Sequence, residues 1–264
     1  MALKRRGVEV VGFDRSSRTA RVAGRRGLVS RMAPSIPASL AGSGTVFICV
    51  PIQEMERVLR EISLVPDSGA IFTDVCSVKQ AVIGMVRRIL PIPSRFVGGH
   101  PMAGSERSGP ESASPSLFLG RVCVLTPVSG TDHRSVVRVS ALWRKAGATV
   151  VRMTPRRHDN AVAKVSHLPH ALAAALMLSS RDDRQALRLA SGGFLDGTRV
   201  SLGDARLWEG IFLANRSEAV SALARFRGEL DLLRRVISSG KPGQLKRLLV
   251  RARDARLALR RTGE

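Results

Sequence analysis

Six short apolar runs punctuate the first part of the chain: Val8–Phe13, Thr45–Val50, Ala70–Val75, Arg95–Gly98, Val122–Thr126 and Ala148–Met153. Runs so brief and so continuous suit strands covered on both faces. Between them lie helical patterns, including Ile52–Ile62, Val78–Leu90 and His133–Ala146. Strands that alternate with helices need crossover connections, which predicts an α/β fold with a doubly wound parallel sheet. After Thr154-Pro155 the strand signals stop, and apolar residues recur at helical spacing in Asn160–Leu178, Ala205–Asn215, Val220–Ile237 and Leu245–Leu259. The expectation is a sheet domain over residues 1–153 followed by an all-helical domain over 154–264. The helical part carries broad apolar faces, such as Val220, Leu223, Phe226, Leu230, Leu233 and Ile237. So much apolar surface on about 110 residues calls for partner helices from a second subunit, so a homodimer through the helical domain is expected.

Composition narrows the class. No uninterrupted apolar run reaches the roughly 18–20 residues that cross a bilayer, which predicts a protein without a membrane span. Cys49, Cys76 and Cys123 sit inside apolar runs and form no C-x-x-C, so neither a disulfide framework nor a zinc site is expected, and the setting is a reducing cytoplasm. The net charge of +22 would draw polyanions. Yet only six of the 43 basic residues are lysine, and the arginines are spread along the whole chain. That distribution reads as a codon-usage bias rather than a nucleic-acid surface, and two Trp, eight Phe and no Tyr offer few stacking platforms. The arginine-rich first 35 residues superficially fit a transit peptide. V-E-V-V-G-F-D (8–14) reads instead as a buried strand, so this stretch reads as part of the fold.

In a dinucleotide-binding fold an acidic residue at the end of the second strand accepts hydrogen bonds from the ribose hydroxyls of NAD. Asp14 sits where that residue belongs, and Arg15 beside it could pair with a ribose phosphate, which keeps NADP open. No G-x-G-x-x-G lies upstream. M-A-L-K-R-R-G reads as the last turns of the first helix, with Gly7 as its left-handed cap. The expected first strand and glycine loop are thus missing from the sequence, and the natural start is expected roughly 20 residues earlier.

Four further strings carry the chemistry: D-V-C-S-V-K-Q (74–80), G-G-H-P-M-A-G-S-E-R-S-G (98–109), V-S-H-L-P-H-A (165–171) and G-G-F-L-D-G-T-R-V-S-L-G-D-A-R-L-W (192–208). Their order and spacing resemble prephenate dehydrogenase, an oxidoreductase family that includes arogenate dehydrogenases. The resemblance runs from about Leu3 to about Arg235, and the absent glycine loop is its one major departure. It implies an NAD-linked (NADP possible) oxidative decarboxylation of prephenate to 4-hydroxyphenylpyruvate in a Rossmann-type fold. The alternatives are arogenate as substrate, or a non-catalytic remnant that has lost dinucleotide binding.

The resemblance also implies roles. His100, a neutral imidazole held in a tight turn before Pro101, accepts the hydrogen bond of the substrate hydroxyl. Ser77 bonds the same hydroxyl and helps place the nicotinamide, although a helix N-cap would look identical at that position. His170 faces the substrate side chain, Arg199 receives a substrate carboxylate, and Ser105 with Glu106 and Arg107 shapes the pocket wall. Pro51, Asp14, Arg15 and Ser77 are set against the cofactor. His167 and His170, three apart on one helical face, lack a matching acidic or cysteine ligand, so no metal is expected. His167 reads as structural, Trp208 as packing at the domain junction, and His133 and His158 as surface residues.

Overall fold

The computed structural model describes residues 1–104 and 109–261. The chain opens on a turn of 3-10 helix, Lys4–Arg6, which ends at Gly7 with φ of 76° and its N–H bonded to Lys4 O. This is the left-handed cap expected there. Ala2 and Leu3 pack into the core beside Trp143, Phe47 and Ile71. There follow β1 (Val11–Gly12), α1 (Ser17–Arg25), β2 (Arg31–Met32), α2 (Ile36–Leu40), β3 (Thr45–Ile48), α3 (Ile52–Ser63), β4 (Ile71–Asp74), α4 (Gln80–Ile89), β5 (Phe96–Pro101), β6 (Val122–Thr126), α5 (His133–Lys145) and β7 (Thr149–Arg152). The helical part holds α6 (Pro155–Val162), a π-helical stretch (Ala163–His167), α7 (Leu168–Ser180), α8 (Arg184–Arg188), α9 (Gly192–Thr198), a 3-10 turn (Arg199–Leu202), α10 (Ala205–Ala214), α11 (Arg216–Ser238) and α12 (Pro242–Arg261).

Local chemistry sets several helix starts. Ser16, Ser35, Asp132, Thr154 and Asp204 each accept a hydrogen bond from the backbone N–H three residues on, at 2.7–3.3 Å, and so satisfy donors the helix leaves open. Pro155 fits the first turn of α6, where its missing N–H does no harm.

The strands form a two-stranded parallel pair, β1-β2, and a five-stranded sheet in the order β3-β4-β5-β6-β7. This is a Rossmann-like α/β arrangement whose ladders are parallel except between β5 and β6, which run antiparallel because a loop rather than a crossover helix joins them. Among the described residues no strand hydrogen-bonds the pair to the larger sheet. The sheet centre meets expectation: all six residues of β5 are buried, as are Cys123–Thr126 of β6. Its margins do not. None of Val8–Phe13 is buried, and β7 is mostly exposed, since each has strand neighbours on one side only.

One core lies under α3 and α4, around Met55, Leu59, Val82, Val86 and Phe96. Another lies under α5, around Val97, Leu125, Val139 and Trp143. By compactness the chain divides into Met1–Arg216 and Ser217–Glu264. The change of element type at residue 154 falls inside the first unit, because α6 packs on α4 and β6 and α10 packs on α3. Within the second unit, Val220, Leu230 and Ile237 of α11 and Leu249, Leu257 and Leu259 of α12 are exposed.

Counting uninterrupted apolar runs overlooked one feature: Pro155–Ser180 forms a helical segment of 26 residues, long and apolar enough by composition to cross a membrane. His158, Asp159, Lys164, His167 and His170 interrupt it, and four of those five are buried. Those four face the protein, so the segment serves as a wall of the site.

Candidate active site

The site is built where β4 and β5 end. Asp74, the last residue of β4, is fully buried. One of its carboxylate oxygens accepts from Gly99 N at 3.0 Å, and the other from Cys76 N at 2.9 Å. A single side chain thereby fixes both the strand before His100 and the loop that carries Ser77. Lys79, also fully buried, pairs with Asp74 and donates to Gly99 O at 2.6 Å. The residue before His100 is therefore held at its N–H and at its carbonyl by an ion pair shielded from water, where electrostatic bonds are stronger than in solvent.

The glycines of this strand are steric necessities. A Cβ on Gly99 would stand 2.7 Å from Asp74 O and 3.0 Å from Thr73 Oγ1, and one on Gly98 would overlap Thr126 Oγ1. The close floor lets His100 sit at the end of β5 with only 8% of its surface exposed. Burial, followed by the charge of Lys79 and by His158 and His167, pushes the His100 pKa well below its usual value, so the ring is neutral at neutral pH.

His100 Nδ1 lies 2.8 Å from His158 Nε2, and His158 Nδ1 lies 2.8 Å from Asp159 Oδ1. Asp159 also accepts from Lys79 N at 2.8 Å and Gln80 N at 2.9 Å, so it caps α4 from a neighbouring helix. Burial works to raise its pKa, but the bonds from His158, Gln80 and Lys79 outweigh burial and hold the carboxyl below the usual range. Further along the same wall, Asn215 Nδ2 donates to Asp159 O at 2.9 Å and meets His167 Nδ1 at 3.3 Å. Burial, chiefly, depresses the His167 pKa to about 4. His170 stacks on Trp208 with ring centroids 3.6 Å apart and planes 14° apart. Burial lowers its pKa too. Among the described residues His170 Nδ1 and His167 Nε2 have no hydrogen-bond partner although both are buried. A buried donor without a partner costs about 1–3 kcal/mol, which points to a polar ligand on this wall.

The π-helical stretch, Ala163–His167, lies within the part of the segment that turns polar groups to one side. Asp159, Ala163, His167 and His170 follow at spacings of four, four and three, and all four are buried. Wide turns of this kind recur at functional sites.

The residues expected at the cofactor lie at strand ends. Asp14 follows β1, is exposed and accepts from Ser16 N at 2.8 Å. Arg15 is paired with Glu54 at 3.0 Å, and the same carboxylate binds Arg57 and Arg206. Arg15 is thus already tied to a carboxylate. Pro51 is exposed at the start of α3, and Ser77 is half-buried after β4. Asp14, Ser77 and His100 thus lie after or at the carboxyl ends of β1, β4 and β5, the first exposed, the second half-buried and the third buried, and ligands of open α/β sheets bind at such strand ends.

Other expectations meet the structure unevenly. Arg199 opens the 3-10 turn that packs on α7, the helix carrying His170, and its residue is exposed. Ser105, Glu106 and Arg107 lie outside the described residues. Ser77 is not the cap of α4: that helix begins at Gln80 and takes Asp159 instead. His158 is no surface residue, being 1% exposed, because the first turn of α6 packs on α4 and β6. Set between Arg156-Arg157 and Asn160, it reads in sequence as a solvated turn. Asp74, Lys79, Asp159 and Asn215 were also missed. The recurrence from Asp159 to His170 along one helical face was the signal available.

Comparison with known proteins agrees with this geometry. The family described as "Prephenate dehydrogenase, nucleotide-binding domain" matches residues 1–152, and "Prephenate dehydrogenase, dimerization domain" matches residues 154–251. Prephenate dehydrogenase of Bacillus subtilis is 32% identical over 97% of this chain and 71% of its own length. The crystal structure of prephenate dehydrogenase from A. aeolicus in complex with hydroxyphenyl propionate and NAD+ superposes with a TM-score of 0.91 at 30% identity, over 98% of this chain and 92% of that one. Synechocystis arogenate dehydrogenase gives a TM-score of 0.83 at 31% identity, over 98% and 94%.

Proposed function

The chain belongs to the prephenate dehydrogenase family, and from that premise we propose how its residues share the oxidative decarboxylation of prephenate to 4-hydroxyphenylpyruvate. Prephenate carries a hydroxyl on one ring carbon and, across the ring, a carboxylate and a pyruvyl side chain. Loss of carbon dioxide restores aromaticity, so much of the driving force lies in the substrate. NAD, when bound, supplies the two-electron acceptor. The protein's task is to orient the ring, draw on the hydroxyl and anchor the acids.

The observation that carries this reading is the environment of His100: a buried imidazole kept neutral and held by the clamped Gly99 peptide at the end of a strand. A neutral ring accepts the hydroxyl hydrogen bond as positive charge develops on the substrate. Ser77, fixed through Cys76 to the other oxygen of Asp74, bonds the same hydroxyl. The unpartnered Nδ1 of His170 donates to the polar side chain of the substrate, with Trp208 holding the ring flat. Arg199 receives a carboxylate through its planar fork. Asp14 binds the adenosine ribose, while Pro51 and Arg15 line the same edge.

A homodimer belongs to the same proposal. The match of residues 154–251 to a dimerization domain and the exposed apolar residues of α11 and α12 support it. A soluble cytoplasmic setting goes with it, as does prephenate as the small-molecule partner.

The test is turnover of prephenate and arogenate side by side with NAD, following NADH. The expected outcome is turnover of prephenate and a loss of about 10²–10⁴-fold in kcat for His100→Asn. A large preference for arogenate would overturn the substrate choice. Failure of the chain to saturate with NADH would favour the non-catalytic reading.

A further inference from the structure

We infer that His158 and Asp159 are positioning residues that set the tautomer of His100 and take up the proton it removes from the substrate hydroxyl. The inference rests on the proposed role of His100 and goes beyond it.

The argument is a count of donors. An ionised carboxylate only accepts, and Asp159 accepts from Lys79 N, Gln80 N and a ring nitrogen of His158. The proton in that last contact therefore belongs to His158 Nδ1. We take His158 to carry that one ring proton, which leaves its Nε2 bare and able only to accept. His100 Nδ1, 2.8 Å away, must be the donor. That leaves His100 Nε2 without a proton, as an acceptor for the substrate. Without this chain the two tautomers of His100 would compete, and the one with Nε2–H would offer a donor where an acceptor is needed.

The same chain handles the proton after it arrives. As the substrate O–H bond breaks, Nε2 of His100 gains the proton, and the proton on His100 Nδ1 passes to His158 Nε2. His100 ends neutral, with its hydrogen on Nε2, and the single positive charge rests on His158 beside the Asp159 carboxylate. As carbon dioxide leaves and the ring becomes aromatic the path reverses: His158 Nε2 returns the proton to His100 Nδ1, His100 Nε2 gives its proton back to the ring oxygen, and the product leaves as the neutral phenol. The surrounding charges favour this destination. His100 faces Lys79, whose charge opposes an imidazolium there. The titratable groups that act together with His158 are Asp159 on its own helix, His100 on β5, which also feels the charge of Lys79, and His167 at the end of the π-helical stretch. Of these, Asp159 is the carboxylate in direct contact with it.

Nitrogen–proton correlation spectra of the histidine-labelled full chain near neutral pH read the tautomers directly. The expected result is Nδ1–H with a bare Nε2 at His100. A spectrum showing Nε2–H at His100 in the resting protein overturns the inference. Kinetics give a second reading. In Asp159→Asn the amide can donate to His158 Nδ1, which reverses both tautomers. The kcat should fall about 10²–10⁴-fold, the acid limb of the kcat/KM profile should move to lower pH as the imidazolium loses its counter-charge, and KM for NAD should stay put. A merely structural role predicts lower thermal stability with an unchanged profile, so wild-type kcat and profile in this variant would sink the idea. Absence of prephenate turnover by the wild-type chain would defeat the enzymatic reading alone, and the spectrum would still decide the hydrogen-bond chain.

Discussion

Replacing Lys79 with Met isolates the clamp beneath His100. Met keeps an unbranched stem as far as Cε and removes the ammonium with its charge and donors. Lys79 and Asp74 are both 0% exposed, so no water can take over the role of the ammonium. Asp74 would keep its bonds from Gly99 N and Cys76 N but become a buried carboxylate without a counter-charge, a defect that costs about 3–5 kcal/mol. Against a total stability of about 5–15 kcal/mol, and at roughly 2–4 °C per kcal/mol for a unit of this size, the melting temperature should fall by about 6–20 °C. Adding Asp74→Asn removes the orphaned charge. It restores only part of the loss, since an amide has a single oxygen to serve two N–H groups. Thermal unfolding by circular dichroism compares the three proteins, with kcat measured well below each melting point. A single variant that melts within about 2 °C of wild type, or a double variant less stable than the single, would refute the reasoning.

Other perturbations follow from the same geometry. Gly99→Ala should destabilise by about 1–3 kcal/mol through overpacking and lower kcat by displacing His100, because its Cβ meets a backbone oxygen at 2.7 Å; full kcat with unchanged melting would contradict this. The His167 pKa, about 4 in the folded protein, lies below its unfolded value near 6.5. Between these limits the unfolded chain binds more protons, so stability present above about pH 6.5 is lost as pH falls toward about 4, by about 3 kcal/mol in total. Denaturant titrations at about pH 7 and pH 4.5 should therefore show a smaller loss in His167→Gln than in wild type, and an equal loss would count against the assignment. Arg199→Lys should raise KM for prephenate at least about tenfold with kcat little changed, as a point charge replaces a two-pronged contact; an unaltered KM would remove Arg199 from the site.

Sequence patterns reveal what is periodic and hide what is assembled. Thr45–Ile48, Ile71–Asp74 and Val122–Thr126 were legible because sandwiched strands must be apolar throughout. Residues Arg31–Met32 were not, since a two-residue edge strand leaves no such run, and the inner side of α1 is made of small, half-buried residues, Thr19, Ala20, Val22 and Ala23, too slight to stand out among arginines. His100 and Ser77 stood out through rare strings. His158 and Asp159 did not, because their meaning depends on atoms of His100 and Lys79, 58 and 80 positions away. A buried lysine also defies composition rules, which place lysine outside unless it is paired; Lys79 pairs with Asp74 five positions before it, but its second partner, the carbonyl of Gly99, arrives only once β4 and β5 are side by side.

The carboxylate of Asp159 reaches α4 and His158 with the same two oxygens. Any excursion that lifts α6 off the sheet strips two amides of their acceptor and, because His158 leaves with Asp159, takes away the partner of His100 Nδ1 in the same instant. Fold integrity and proton handling are latched together there, so the readiness of the base doubles as a gauge of how firmly that helix is seated.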